Sequence, residues 1–466
     1  KAASNMGLHP KECVVVEDAI SGVQAGRNGN FGLVLGITRT GDKQSLLANG
    51  ADIVVNDMEE ISFENVLQWF KNDVYEDNWH LTYHGFNPEE ELLREALTTT
   101  GNGYFGSRGA FESERANDDT HYPGTYVAGV FNKIPSKVHD KTIYNNDFVN
   151  IPNWLLVQFK IGDDKKPLSL EHCEILEYEH RLNMRDAIMT RFMVVRDKEG
   201  RETEINVERF ANIQLPHHGH IKYEITPLNY NDSITIISGI DGSIINYGVP
   251  RYRQLNSKHL DVVDKRSQNG TIYLHARTNA SKVDIHTTIR NQLFENEKQY
   301  QLHTSKVQEA DKEIYEQLKF NAQKGKTYKL EKTAAIYTSR DMDVADPQQS
   351  SLMNAENAAD FETLFISHRD YWHGMWEKTG IEVEGDRFTQ KVARLHTYHL
   401  LVTGSPHNQN FDAGIPARGL HGEAYRGHIF WDEVYILPFY VKHYPEIVNA
   451  FLKYRYRRLD DARAYA

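Results

Sequence analysis

The chain has 466 residues, a length that suggests two to four domains. Apolar residues make up 40% and charged residues 25%, as is usual for a globular protein. The formal net charge of −12 argues against a general nucleic-acid binder, and no apolar run approaches the roughly 20 residues of a membrane span. With only Cys13 and Cys173, the chain offers no disulfide framework, which predicts a reducing, cytoplasmic location.

The two ends of the sequence lie inside helical patterns. The chain begins with "KAASNMGLHP", without an initiator Met, and stops at "DDARAYA", without a helix cap or a glycine. This pattern predicts a fragment truncated at both ends.

Residues 1–72 are predicted to form an α/β unit. The stretches "ECVVVEDA", "FGLVLGIT" and "ADIVVND" are continuous apolar strands that alternate with helical segments, the pattern of a parallel sheet. Glu17 and Asp18 follow the first strand, at the edge where parallel sheets bind ligands. Adjacent carboxylates there suit a hard cation such as Mg²⁺.

The pattern changes beyond residue 75. Stretches such as "EINVERFANIQL", "HIKYEITPLNY" and "YKLEKTAAIYT" alternate apolar and polar residues, which predicts a large antiparallel sandwich of two extended sheets over 75–345. Helical spacing begins near residue 351. We predict a helical linker over 346–384 and the start of a helical barrel or bundle over 385–466.

Two motifs inside the sandwich region are interpreted as structural. The glycines of "GNGYFG" (residues 101–106) lack the preceding strand and following helix of a nucleotide-binding loop, so they are predicted to form a turn. His217, His218 and His220 have no evident fourth ligand for a metal and are expected at an exposed turn.

The candidate site is the stretch "ARGLHGEAYRGHIFWDEVYILPFY" (residues 417–440). Trp431 offers a flat face for a sugar ring, and Asp432 can accept hydrogen bonds from two adjacent hydroxyls at the start of a predicted helix. The other candidate ligand-binding residues lie on the same glycine-punctuated loop: Arg418, His421, Arg426 and His428. A polar loop that caps a helical region is the alternative. Glu423 and Glu433 of the same stretch are the residues that an acid/base pair would use.

Three motifs in order resemble glycoside hydrolase family 65: "GNGYFGSRGAFE", "YPGTYVAGVFN" and the 417–440 stretch. The resemblance runs from about residue 79 to the end. It implies an N-terminal β-super-sandwich, a helical linker and the start of an (α/α)6 barrel, with Trp431 and Asp432 binding the non-reducing glucose. It also implies a general acid and a phosphate-binding set beyond Ala466, so that this chain holds no catalytic residue and is expected to be inactive by itself. Since phosphate as a nucleophile needs no general base, we do not interpret Glu423 and Glu433 as an acid/base pair.

The stretch "VVVEDAISGVQAG" (residues 14–26) resembles the last motif of the haloacid-dehalogenase enzymes, β-phosphoglucomutase in particular. The resemblance implies that Glu17 and Asp18 coordinate Mg²⁺ when that domain is complete. Phosphorolysis with inversion gives β-glucose 1-phosphate, which a β-phosphoglucomutase would convert to glucose 6-phosphate, so the two resemblances support each other.

The predicted parent protein is therefore a cytoplasmic disaccharide phosphorylase. Its substrates are an α-linked glucose disaccharide and inorganic phosphate, and a homodimer is a possible assembly. A hydrolase of the same family and a non-catalytic carbohydrate-binding protein stay open as alternatives. The disaccharide linkage is not predicted.

Overall fold

The computed structural model describes the whole chain except residues 1, 2, 4, 5, 40, 41, 68, 71–77, 116–119, 296, 297, 301–303, 384–386 and 466. Three regions follow one another in the described chain: a small α/β unit, a large antiparallel sandwich and a set of helices.

The N-terminal unit is a three-stranded parallel sheet, as predicted. Its elements are β1 Val14–Glu17, α1 Ile20–Asn28, β2 Leu33–Ile37, α2 Lys43–Ala48 and β3 Ile53–Val55. A small core of Val23, Val34, Leu46 and Ala51 lies between helices and sheet. Asp52 joins the layers because its carboxylate accepts from the Val34 amide at 2.7 Å and pairs with Arg27.

Two antiparallel sheets form the sandwich, which confirms the prediction from the alternating pattern. The ten-stranded sheet runs β16-β17-β18-β22-β14-β13-β12-β11-β4 with β19 on β18, and the four-stranded sheet runs β10-β15-β21-β20. Their strands are β4 His80–His84, β10 Val157–Ile161, β11 Glu174–Asn183, β12 Ile188–Arg196, β13 Glu202–Ala211, β14 His218–Pro227, β15 Asp232–Asp241, β16 Leu260–Gln268, β17 Thr271–Thr278, β18 Asp284–Glu295, β19 Lys298–Gln299, β20 Thr304–Glu309, β21 Glu313–Ala322 and β22 Tyr328–Thr338.

Alternation puts one face of each strand into a shared core. Along β13, buried and partly buried residues alternate, so Ile205 and Val207 point inward and pack with Ile236 of β15 and Leu318 of β21. The turns and ribbons around this core are α3 Glu91–Leu97, β5 Thr100–Gly101, β6 Phe105–Ser107, β7 Thr125–Val127, β8 Phe131–Val138 and β9 Lys141–Phe148.

The expectation of an exposed histidine turn was wrong. β14 begins at His218 and pairs with β22, so His218 and His220 are buried within the sheet, and the His217 ring stacks on Tyr337 at 3.8 Å. Burial lowers the pKa of His217 and His218 to about 4, and these rings are therefore neutral packing residues. Among the described residues, no group of three His, Cys, Asp or Glu side chains could hold a metal.

The glycine-rich turn at 101–106 is confirmed. Gly103 has a φ of +84°, a conformation that favours glycine. A Cβ at Gly106 would lie 2.6 Å from the carbonyl oxygen of Leu420, so this glycine lets the sandwich approach the 417–432 segment closely.

Helices follow the sandwich, also as predicted. They are α4 Pro347–Glu356, α5 Phe361–Thr379, α6 Arg387–Thr403, α7 Glu433–His443, α8 Pro445–Arg457 and α9 Leu459–Tyr465. Asp346 and Asp360 cap α4 and α5 by accepting from Gln349 and Thr363 amides.

Aromatic side chains at helical spacing hold these helices together. Trp372 and Trp376 of α5 share a buried cluster with Tyr398 of α6 and Tyr440 of α7. The cluster also reaches the sandwich, because Trp376 meets Trp79 edge to face at 4.8 Å. The helical region is thereby fixed against the β-sandwich. The domain boundaries at 72, 345 and 384, and the continuation into a barrel, stay predictions.

Candidate functional site

The segment 417–432, called the site loop here, is the second part of the connection between α6 and α7 and contacts the sandwich. Tyr425 and Arg426 adopt φ values of 56° and 58°, and Gly427 follows with a φ of 68°. Left-handed backbone costs about 1–2 kcal/mol for a residue with a side chain. Two such residues in succession persist only where surrounding contacts determine the loop conformation.

Glu423 supplies the central contact. Its buried carboxylate accepts from the hydroxyls of Tyr122 and Tyr126 and from the Gly248 amide, the last two at 3.0 Å and 3.2 Å. Burial raises the pKa of Glu423 to about 7, although these donors favour the charged form. One carboxyl group thus joins the site loop to two separate parts of the sandwich.

Further contacts fix both halves of the loop. Arg108 donates to the carbonyls of His421 and Tyr122, each at 3.1 Å. The His428 ring lies 2.7 Å from the Asn146 carbonyl on β9. The loop conformation is therefore set by the sandwich as well as by the helices.

Trp431 and Asp432, the two principal candidate residues, lie at the exposed end of this loop. The Trp431 side chain is exposed, with a relative accessibility of 71%, and meets Tyr435 edge to face at 5.5 Å. Asp432 immediately precedes α7 and makes no side-chain cap. Within the described part of the chain, its carboxylate has no hydrogen bond or ion pair, so both oxygens are available to a ligand.

The four other candidate residues have different environments. Arg418 is exposed and lies 5.9 Å from the Tyr425 ring, whereas Arg426 is half-buried between the Tyr252 ring at 5.2 Å and Asp147 at 3.7 Å. His428 is tied to β9 as described. His421 has its Nδ1 shielded from solvent, and burial holds the pKa of this ring well below its usual value. Both arginines thus lie against tyrosine rings, whereas the His421 ring is shielded from solvent.

Glu433 is also engaged by protein groups. It is buried, and its Oε2 accepts from Arg455 at 2.8 Å. With Glu423 held by two tyrosines, the contacts of both carboxylates favour anchoring roles over an acid/base pair.

Sequence reasoning missed the residues that position the loop. Tyr122 and Tyr126 lie within the second motif, but their hydroxyl contacts with Glu423 join residues about 300 positions apart. The segment 245–253 was missed as well. Its alternating tyrosines and arginines in "NYGVPRYR" were the one local signal.

The Glu17–Asp18 corner fits a metal poorly. Asp18 pairs with the exposed Arg39 at 3.2 Å, and Glu17 packs against Gly22 at the start of α1. A guanidinium thus competes for one of the two expected ligands. The Mg²⁺ role of Glu17 and Asp18 stays a prediction for a complete domain.

The helices were compared with the length and apolar content of a membrane-spanning helix. In the part of the chain that the structure describes, none of them has the length and apolar content needed to cross a bilayer.

Two family models match the chain. Residues 81–375 match the N-terminal domain of glycosyl hydrolase family 65, and residues 394–466 match the central catalytic domain of that family.

Relatives agree with this match. An uncharacterized glycosyl hydrolase of Mycobacterium tuberculosis is 36% identical over 392 residues, 84% of this chain and 29% of that protein. Kojibiose phosphorylase of Caldanaerobacter subterraneus subsp. tengcongensis is 32% identical over 401 residues, 83% of this chain and 49% of that protein. This chain thus spans half or less of the length of these relatives.

A solved structure has a similar fold. It is a putative kojibiose phosphorylase from the human microbiome, with a TM-score of 0.73 and 17% sequence identity. The match covers 84% of this chain and 50% of that one, and shows a likeness of fold.

Proposed function

Since the chain belongs to glycosyl hydrolase family 65, we propose that its parent protein carries out inverting phosphorolysis of an α-linked glucose disaccharide. Inorganic phosphate is the co-substrate, and β-glucose 1-phosphate is the product. The kojibiose phosphorylase that resembles the chain supports phosphorolysis.

One observation carries the placement of the sugar site. Trp431 is exposed and Asp432 has no protein partner among the described residues, yet both lie at the end of a loop held by the buried Glu423. Exposed aromatic and unpaired charged groups on a fixed backbone can bind a ligand without a large ordering cost. We assign the glucose ring to the Trp431 face and two of its hydroxyls to the Asp432 carboxylate.

The four other candidate residues belong to the same loop as this pair. Arg418, Arg426 and His428 are proposed to line the sugar site, and His421 to support the loop from behind. In the reaction, a phosphate oxygen bonds to the anomeric carbon as the glycosidic bond breaks, and the leaving oxygen takes a proton. We assign that proton transfer to neither Glu423 nor Glu433, because both carboxylates bind protein groups.

The N-terminal unit is proposed to be part of a β-phosphoglucomutase that takes up the β-glucose 1-phosphate. Its parallel sheet, with Glu17 and Asp18 at the carboxyl end of β1, supports this assignment. A cytoplasmic location is proposed with it, in keeping with two free cysteines.

Hydrolysis of the same bond is the second candidate, because the Mycobacterium tuberculosis relative is named a glycosyl hydrolase. The discriminating experiment uses the full-length protein with kojibiose, trehalose, maltose and nigerose, with and without phosphate. Phosphate-dependent β-glucose 1-phosphate from one of them supports phosphorolysis. Glucose release at the same rate without phosphate contradicts it.

A further inference from the structure

Three arginines and two tyrosines form a continuous stack beside the site loop, called the arginine–tyrosine ladder here. Guanidinium carbons and ring centroids alternate along it. Arg418 lies 5.9 Å from Tyr425, Tyr425 lies 5.4 Å from Arg251, Arg251 lies 4.9 Å from Tyr252, and Tyr252 lies 5.2 Å from Arg426. All four separations are within cation–π range.

Two distant parts of the chain build this ladder. Arg251 and Tyr252 belong to the sandwich segment 245–253, and the other three members to the site loop. The Tyr122 hydroxyl, which donates its one proton to Glu423, holds that segment by accepting from the Tyr247 amide at 3.0 Å. Because the Gly248 amide also binds Glu423, the same buried anchor positions both halves of the ladder.

The ladder carries an excess of positive charge. Arg426 has Asp147 at 3.7 Å, whereas Arg251 and Arg418 have no carboxylate within 4.0 Å among the described residues. Both of these arginines are exposed. This local excess occurs in a chain of net charge −12, so it does not follow from a basic composition.

We propose that the arginine–tyrosine ladder binds the phosphoryl group of a phosphorylated saccharide whose sugar occupies the Trp431–Asp432 site. This inference rests on the proposed sugar site. One guanidinium group can donate two parallel hydrogen bonds to two oxygens of a phosphoryl group. Stacking on the tyrosine rings orients the guanidinium groups before the ligand arrives. The Arg251 guanidinium is further oriented by its hydrogen bond to the Tyr252 hydroxyl at 2.9 Å.

Contact with the sugar site favours a sugar phosphate over free phosphate. Tyr425 of the ladder meets Phe430 edge to face at 5.8 Å, and Phe430 precedes Trp431. The ladder therefore adjoins the aromatic side chains at the sugar site. Its exposed arginines therefore suit a phosphoryl group that is attached to the bound sugar.

The test is calorimetric titration of the full-length protein with glucose 6-phosphate, glucose and inorganic phosphate, each at low and high salt. Glucose 6-phosphate is expected to bind more tightly than either other probe and to weaken with salt. Arg251→Gln should weaken glucose 6-phosphate binding at least about tenfold and leave glucose binding unchanged. Arg251→Lys keeps the positive charge but cannot donate two parallel hydrogen bonds. Its affinity for glucose 6-phosphate should lie between those of the wild type and Arg251→Gln.

Arg266 is the matched control. Arg266 lies on β16 and stacks on the Tyr273 ring of β17 at 4.7 Å, away from the ladder. Arg266→Gln should therefore leave the affinities for glucose 6-phosphate, glucose and inorganic phosphate unchanged. Equal binding of glucose and glucose 6-phosphate, or equal losses in Arg251→Gln and Arg266→Gln, would overturn the proposal. Inorganic phosphate that binds as tightly as glucose 6-phosphate, with the same dependence on Arg251, would also overturn it in favour of free phosphate.

Asp432→Asn separates this proposal from the proposed sugar site. Loss of glucose 6-phosphate affinity in both Asp432→Asn and Arg251→Gln supports the two together. Loss in Arg251→Gln alone supports phosphate recognition by the ladder and contradicts the sugar site. Loss in Asp432→Asn alone contradicts the ladder.

Discussion

Two pairs of residues, Glu17–Asp18 and Trp431–Asp432, each place an aspartate at the end of a secondary-structure element, and each pair is called an acidic corner here. Asp18 follows strand β1, and Asp432 precedes helix α7. They differ in what surrounds them. Asp18 pairs with the exposed Arg39 at 3.2 Å, and the described residues include no buried anchor for it. Asp432 has no partner in the described structure, and the preceding loop is fixed through the buried Glu423.

The comparison separates a carboxylate that the protein occupies from one that it leaves available. An unpaired carboxylate on a fixed backbone has a desolvation cost that a ligand can offset. A carboxylate that is paired with an arginine, such as Asp18, already has a partner within the protein. The predictions below test this difference at each corner and at the anchor.

The largest effect is expected at Asp432. Asp432→Ala in the full-length protein should cost about 2–4 kcal/mol in kcat/KM through loss of charge-assisted bonds to sugar hydroxyls. Because Asp432 is half-exposed and does not cap α7, the melting temperature should stay unchanged. Steady-state kinetics and thermal unfolding measure the two quantities. Asp370→Ala, at an exposed pair with Arg369, is the control. Kinetics like the control would contradict the sugar site.

The anchor should matter for stability. Glu423→Ala removes the acceptor of two buried tyrosine hydroxyls and one amide, and should lower the free energy of unfolding by about 1–3 kcal/mol. Denaturant unfolding measures it. Tyr126→Phe, which removes one donor, should cost less, and Tyr144→Phe at an exposed tyrosine should cost nothing measurable. If Glu423→Ala matched Tyr144→Phe, the loop would not depend on this anchor.

Much of the fold could be predicted from the sequence, because periodicity reports burial directly. The alternation in β13 and the apolar run in β1 predicted antiparallel and parallel sheets correctly. The anchor could not be predicted, since Glu423 meets Gly248 and Tyr122 only after residues 175 and 301 positions apart come together. The histidines near 218 were misinterpreted for the same reason. Their burial comes from pairing with β22, more than a hundred residues away.

A smaller effect is expected from pH. The pKa of Glu423, raised by burial to about 7, lies above its value in the unfolded chain, so the protonated form is favoured by folding. Its contribution to stability is therefore present below the unfolded pKa and is lost as pH rises through about 7. The groups that face it are the Tyr122 and Tyr126 hydroxyls, the Gly248 amide and the charge of Arg108, all of which favour the carboxylate.

The measurement compares unfolding free energies at about pH 6 and about pH 8. The wild type should lose about 1 kcal/mol more than Glu423→Gln over this interval, which follows from a change of one proton near pH 7. Glu423→Gln also lowers the free energy of unfolding by an amount that does not depend on pH. That amount cancels when the change between the two pH values is compared for each protein. The same pH dependence in both proteins would show that another group titrates there.

The smallest effect is expected at the other corner. Asp18→Ala removes an ion pair between exposed side chains, Asp18 with 46% and Arg39 with 79% of their surface accessible. Such pairs contribute about 0–1 kcal/mol, so stability should change little. Mg²⁺ added to this chain should also bind weakly, because Glu17 and Asp18 supply few of the oxygen ligands that the ion needs. Calorimetric titration with Mg²⁺ checks this, and Asp57→Ala, at another exposed acidic residue of the same unit, is the control. Micromolar binding that is lost in Asp18→Ala but not in Asp57→Ala would show that the corner is a formed metal site. In that case, both acidic corners would be binding sites, one for Mg²⁺ at Glu17–Asp18 and one for a sugar at Trp431–Asp432.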